Sequence, residues 1–333
     1  MNDESRLRPR WPHVLALAGK VALSVGLLGY LLGRLPLDQF LGTLTRARPG
    51  WLVAAWAVML GSNLLGAYQW GRLLRVVDIQ IPFWKVCAYY HVGLFFNNFL
   101  PANIGGDISR VMNSSRYGPT SAAAFSAVLM DRLIGTVALA GLALVTALPI
   151  LDRFHLALIY LVLVGFFGFS VTLLWALFHP ALLPACEKLL GRVGLSRLSP
   201  QLDDLAARLR GFRGQPRLLV RMLAVAGLTQ ISRIAVHVLV ARALGIRVPI
   251  LYFFLFVPLL AVIVSVPISL NGIGVREGAG IVIFGLVGVD RAHAFSLQFV
   301  TYLVAMVVSL LGGLVFLVRI PRRRAEARNQ RRS

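Results

Sequence analysis

The sequence predicts an all-α, polytopic membrane protein built from two inverted-topology repeats, each containing a broken or re-entrant segment. Three observations point there. Of 333 residues, 58% are hydrophobic and only 14% are charged, a balance foreign to soluble domains of this size. Apolar stretches of span length recur from end to end without strand alternation, so helices, which satisfy their own backbone hydrogen bonds in lipid, are expected rather than a β-barrel. Finally, two of the apolar stretches are interrupted by similar runs of Asn, Gly, Pro and charge.

Segments of about 20 apolar residues cross a bilayer, and candidates fall near 14–33, 51–71, 121–149, 156–178, 218–244 and 295–318. Residues 6–10 carry three arginines ahead of the first run. No small-residue cleavage site follows, so a retained span is expected rather than a signal peptide. Between the first two spans, Leu37, Phe40, Leu41 and Leu44 share a helical face, the pattern of a short interfacial helix. Residues 180–216 are the only long hydrophilic segment. Leu198, Leu202, Leu205 and Leu209 there recur at near-helical spacing, so the segment should lie on the cytoplasmic membrane surface. The whole chain, 1–333, is read as one transmembrane domain: repeat 1 at about 51–149, repeat 2 at about 218–318, and a basic tail at 319–333.

The net charge of +21 is better explained by cytoplasmic loops collecting Lys and Arg than by nucleic acid. No basic stretch is interleaved with stacking aromatics. The same rule puts the N-terminal tail, the 180–216 segment and the C-terminal tail in the cytoplasm, with Arg34, Arg46 and Arg48 as a mild violation. Counting crossings, segment 83–116 begins and ends inside, whereas 250–288 begins and ends outside. The first is too short for two full spans and should be re-entrant. The second is either a similar hairpin or a full span followed by a half-helix.

The two interruptions resemble each other. In PANIGGDISR (101–110) and PISLNGIGVRE (267–277), Pro101 and Pro267 each precede an arginine, Arg110 and Arg276, by nine positions. The same shift carries Arg132 onto Gln298. Opposed orientation together with this likeness is the mark of an inverted repeat whose broken helices hold the binding site. The alternative is a pair of kinked helices packed for structural reasons.

Proline disfavours helix before it and glycine permits a sharp turn. Asn103, Gly105 and Gly106 should therefore form a break, with Asp107 capping a new half-helix whose free amides face a cavity. Residues 271–274 offer the same elements from the other side, Asn271, Gly272 and Gly274 among them. Asp107, Arg110, Asp131, Arg132, Arg233, Arg276 and Glu277 all fall at membrane depth. An unpaired charge there costs at least about 2.5–3.5 kcal/mol, so these residues should pair or face a polar cavity. Asp107 and Arg110 are three apart and can meet. Gln230, Arg233 and His237 share one stripe of their span, as a second layer around the site with Gln298. Arginines outnumber carboxylates, and a guanidinium grips phosphate by a two-point fork. An anionic, phosphate-bearing ligand is expected; purely structural ion pairs are the alternative.

No P-loop is present, and no Ser, His and acid arrangement suggests a hydrolase. Cys87 and Cys186 are far apart and the six histidines lack ligand spacing, so neither a disulfide framework, a metal nor another cofactor is expected.

The stretches FFNNFLPANIGGDISRV (95–111), AVLMDRLIG (127–135) and LNGIGVREGAG (270–280), in this order, resemble the membrane domain of the lysylphosphatidylglycerol synthase/flippase family. The resemblance covers nearly the whole chain. It implies a lipid flippase-like transporter in a bacterial cytoplasmic (inner) membrane, both termini cytoplasmic. Its site would lie around Asn98, Pro101, Gly105, Gly106, Asp107, Arg110, Asp131, Arg132, Gly272, Gly274, Arg276 and Glu277. The family's usual Glu-Arg pair is Asp131-Arg132 here, one methylene shorter. The family's soluble aminoacyl-transferase domain has no counterpart in this sequence, so synthesis of lysyl-lipid is not expected. The expected activity is thus non-enzymatic movement of an anionic lipid between leaflets. Its rivals are an intramembrane transferase using Asp107, Asp131 or Glu277 as base, and a non-transporting subunit of a lipid-synthesis complex. A second copy or a lipid-synthesis enzyme stands open as protein partner.

Overall fold

A computed structural model describes residues 25–34, 36–99, 105–147, 157–178, 199–265 and 269–330. All elements among these residues are helical. Helix α1 covers residues 25–33, and the interfacial stretch forms α2, Leu37–Thr45. Then come α3 (Pro49–Val76), α4 (Phe83–Phe99), α5 (Gly105–Ser114), α6 (Ser121–Ala147) and α7 (Ala157–Phe178). The second part holds α8 (Ser199–Arg213), α9 (Pro216–Ala243), α10 (Ile250–Ser265), α11 (Val275–Gly285) and α12 (Arg291–Gln330).

Local chemistry sets the helix starts. Pro49 and Pro216 occupy the first turns of α3 and α9, where a missing N–H costs nothing. Thr120 Oγ1 accepts the Ala123 N–H at 3.1 Å and caps α6; Asp290 Oδ1 accepts the His293 N–H at 3.0 Å and caps α12. Among the described residues, four helices are long and apolar enough to cross a membrane: Pro49–Val76, Ser121–Thr146, Pro216–Ala243 and Arg291–Val318. Of the other two expected spans, α7 has 22 residues and no charged side chain, and residues 14–24 lie outside the described residues.

Polarity is turned inside out. Leu161, Phe169 and Trp175 of α7 and Leu314 and Leu317 of α12 are exposed, while Gln69, His91, Arg110, Asp131, Gln230, Glu277 and Gln298 are buried. In water this would forfeit apolar burial and add desolvation cost at once. In lipid the apolar surface costs nothing and the polar interior is the only shelter for charge. The structure is thus that of a multi-pass membrane protein. The surface segment is described from Ser199 onward. Helix α8 docks rather than floats: Leu209 and Phe212 are buried against α6 residues Ala123, Ala124 and Ala127 in one hydrophobic cluster.

Helices α3 to α6 recur in order and length as α9 to α12, with 28, 17, 10 and 27 residues against 28, 16, 11 and a 28-residue span. Packing recurs too. Helix α3 lies along α9; α4 packs on α12 and α10 on α6; α6 packs on α9 and α12 on α3.

A polar site where two helix breaks meet

Helix α4 runs into the first interruption and α5 leaves it. Pro101 and Asn103 lie outside the described residues, but both flanks are defined. The expected cap, Asp107, instead lies inside α5. The capping acceptor comes from α4, where Asn97 Oδ1 takes the Gly106 N–H at 2.8 Å. Gly106 is required by close approach, since a Cβ there would strike the Gly93 carbonyl and the Asn97 side chain. Helices α4 and α5 therefore fold back on one another.

Asp107 is free of capping duty and binds charge. Its carboxylate receives Arg132 Nε at 2.9 Å and lies 3.7 Å from Arg110 Nη1. Arg110 in turn donates to Asp131 Oδ2 at 2.6 Å, and Gln69 Nε2 reaches Asp131 Oδ1 at 2.9 Å. The Arg110 guanidinium also sits 4.5 Å from the Trp70 ring centroid and 5.0 Å from that of Tyr90. Arg110 and Asp131 are buried; Arg132 is half-exposed. Two acids and two arginines from the first half thus neutralise one another. The meeting of Asp107 with Arg110 agrees with their spacing. Both carboxylates hold Arg110 in this structure.

The second interruption is more strained. Asn271, at φ 48°, is one of two non-glycine residues with positive φ among those described, and Gly274 has φ 83°. Asn tolerates this region better than most residues, and such strain persists only where the surroundings enforce it. Glu277 Oε2 accepts the Gly274 N–H at 2.7 Å, so this acid caps its own helix from three residues ahead. The tight turn at Gly274 brings that N–H within its reach. Arg276 Nη2 donates to the Asn271 carbonyl at 2.9 Å, and its guanidinium lies 4.7 Å from the Tyr302 centroid.

The two interruptions touch. Asn271 Nδ2 donates to Asn98 Oδ1 at 2.8 Å, and Asn98 Nδ2 donates to Ser309 Oγ of α12. Around this junction lie two cavities, of about 220 and 440 Å³, sharing Leu94, Asn97, Arg132, Leu139, Gln230 and Arg233. The smaller contains the Arg110–Asp131 pair. The larger is lined by Arg233 and His237 of α9, Arg276 of α11, and Gln298 and Tyr302 of α12, with no Asp or Glu among its described lining residues. Gln230 donates to the Gly135 carbonyl at 3.2 Å and the His237 Nδ1 lies 3.0 Å from the Arg233 carbonyl. Neither Arg233 nor Arg276 has a carboxylate partner within 4 Å among the described residues, and Gln298 is fully buried with both side-chain polar atoms unpartnered.

Asn97, Gln69, Trp70, Tyr90 and Tyr302 belong to this site without having been singled out in the sequence. The doubled asparagine at 97–98 was the only available signal, and it spoke for one of the pair. The described residues contain no cluster of His, Cys, Asp and Glu able to hold a metal.

Comparison with known proteins agrees with this architecture. A family model, the lysylphosphatidylglycerol synthase TM region, matches residues 17–313. A UPF0104 membrane protein of Pyrococcus horikoshii is 24% identical over 323 residues, covering 89% of this chain and 95% of the relative.

Proposed function

Because the chain belongs to the family of the lysylphosphatidylglycerol synthase transmembrane region, we propose that it moves an anionic, phosphate-bearing lipid between the leaflets of a bacterial inner membrane. The observation carrying this reading is the larger cavity, which holds Arg233 and Arg276 without carboxylate partners and no described acid in its lining. A guanidinium with no bridging carboxylate at membrane depth is costly, and a phosphodiester offers charge with oxygens spaced for a two-point fork. A lipid leaves its tails in the bilayer, so only the head group needs the polar route past the Asn98–Asn271 junction.

The matched packing of α3–α6 and α9–α12 supports two halves related by an axis in the membrane plane, with the breaks opening to opposite faces. Cytoplasmic termini follow from the basic tails. The carboxylates that a lipid-phosphate transferase would need as base are occupied: Asp107 and Asp131 hold arginines and Glu277 holds a backbone N–H. That favours carriage over covalent chemistry.

The test is reconstitution of the purified chain into liposomes containing fluorescent phosphatidylglycerol, with leaflet exchange read by dithionite quenching. Exchange should exceed that of empty vesicles, and Arg233→Gln and Arg276→Gln should each lower it by about tenfold, the loss of one charge-assisted contact. Exchange unchanged in both variants would remove the head-group site from this cavity, and a new covalent lipid product would replace carriage with catalysis.

A further inference from the structure

A third cavity lies at the side of the bundle and shares no lining residue with the two between the breaks. It is a groove of about 400 Å³ bounded by the end of α2, the first turns of α3 and the middle of α12. Leu44, Ala47, Val53, Trp56, Leu303 and Val307 line it, and no charged side chain does. An occupant can reach these walls, because Val53 is 65%, Val307 51% and Leu303 40% exposed. Phe40 of α2 sets edge-on against Phe295 and Phe299 of α12, which fixes α2 beside the groove. Helix α1 packs elsewhere, with Leu27 close to Gly274 and Leu31 close to Gly278 of α11.

The mouth of the groove is basic. Ala47 stands between Arg46 and Arg48, both exposed. The Arg48 N–H donates to the Ala243 carbonyl at 2.9 Å, so the end of α9 brings exposed Arg242 to the same place, with its guanidinium 5.3 Å from the Trp51 centroid. No described carboxylate lies within 4 Å of Arg46, Arg48 or Arg242. The described acids at this end of the bundle are Asp38 and Asp290, and Asp290 is engaged by His293. With both termini cytoplasmic this end faces outward, where the rule that gathers Lys and Arg in cytoplasmic loops does not apply. The charge therefore asks for a partner of its own.

Dimensions select the occupant. The groove follows α12 from Val300 to Val307, about 10 Å at 1.5 Å per residue. Its volume then leaves roughly 40 Å² of cross-section, whereas a helix about 10 Å across needs roughly twice that. An acyl chain fits and a helix of a second copy does not. We infer that this groove is a resident-lipid site: it holds one acyl chain of an anionic phospholipid, whose phosphate lies against Arg46 and Arg48. The site is independent of the carriage proposed above, since a lipid seated here touches neither break. A basic side chain near the head groups attracts an anionic lipid, and the apolar walls hold its chain in register with that charge.

The experiment is native mass spectrometry of the full chain in neutral detergent, titrated with dioleoyl phosphatidylglycerol or dioleoyl phosphatidylcholine. Arg233→Gln and Arg276→Gln are combined first, to weaken binding in the central cavity. In that background phosphatidylglycerol should still bind about tenfold more tightly than phosphatidylcholine, as expected for two basic side chains at a membrane surface. Adding Arg46→Gln and Arg48→Gln should bring the ratio to within about twofold, with phosphatidylcholine affinity unchanged. Adding Val53→Trp instead, which fills the groove, should weaken both lipids by about fivefold or more. A preference seen in the wild type but lost in the background puts the anionic lipid in the central cavity, which overturns this inference and supports the carriage reading. No preference in the wild type overturns both. A preference that survives Arg46→Gln with Arg48→Gln, or binding that survives Val53→Trp, removes the lipid from this groove. A dimer that Val53→Trp dissociates would give the groove to a second copy and overturn the inference as well. Should the background fail to fold, Val53→Trp in the wild-type chain decides: it should remove one bound phosphatidylglycerol, and an unchanged count overturns the inference.

Discussion

Replacing Arg110 by alanine separates a structural arginine from a transporting one. The Arg110 side chain is 7% exposed and its main partner, Asp131, is 10% exposed at 2.6 Å. Removing the guanidinium leaves Asp131 buried with Gln69 as its remaining polar side-chain contact, and empties the space between Trp70 and Tyr90. Breaking a buried pair by deleting one member costs about 3–5 kcal/mol, most of it from the orphaned charge. At about 2–4 °C per kcal/mol for a large domain, the melting temperature should fall by roughly 10 °C. Restoring neutrality should recover much of this, so Arg110→Met combined with Asp131→Asn should melt well above Arg110→Ala. Arg276→Ala removes a hydrogen bond to a backbone carbonyl and a ring contact but orphans no bridged carboxylate. It should cost only about 1.5–3 kcal/mol and abolish most lipid exchange. The assay is melting in one detergent alongside exchange in one liposome composition, on all four proteins. Wild-type melting of Arg110→Ala together with lost exchange would refute the reasoning and return Arg110 to the ligand.

Other expectations concern the two breaks. Gly106→Ala should destabilise by about 1–3 kcal/mol, the range for overpacking, because its methyl meets the Gly93 carbonyl; circular dichroism melts would show it. Glu277→Gln keeps an acceptor for the Gly274 N–H and should melt near wild type, whereas Glu277→Leu strands that N–H and should lose about 1–3 kcal/mol. Arg276→Lys retains charge but not the fork, so phosphatidylglycerol exchange should drop substantially; full exchange there, with Arg276→Gln inactive, would mean that charge alone suffices. Cysteines at Asn103 and Asn271, in a chain lacking Cys87 and Cys186, should react with impermeant maleimide from opposite sides of sealed vesicles. Labelling of both from one side would exclude inverted halves.

The sequence by itself determined the helical membrane class, the place of both interruptions and the set of charged residues at membrane depth. These depend on local composition: an apolar run of span length has few alternatives in lipid, and Gly, Pro and Asn announce broken helix wherever they cluster. Partnership was decided only by tertiary structure. That Asp131 pairs with Arg110, that Asn97 accepts the Gly106 N–H, and that Asn98 meets Asn271 are contacts across 21, 9 and 173 positions of chain. An ion pair forms with whatever charge the packing brings within about 4 Å, and that is a property of how α4, α5 and α6 fold together. For the same reason Arg233 and Arg276 look no different in sequence from the arginines already paired; only the folded structure shows that no described carboxylate bridges them.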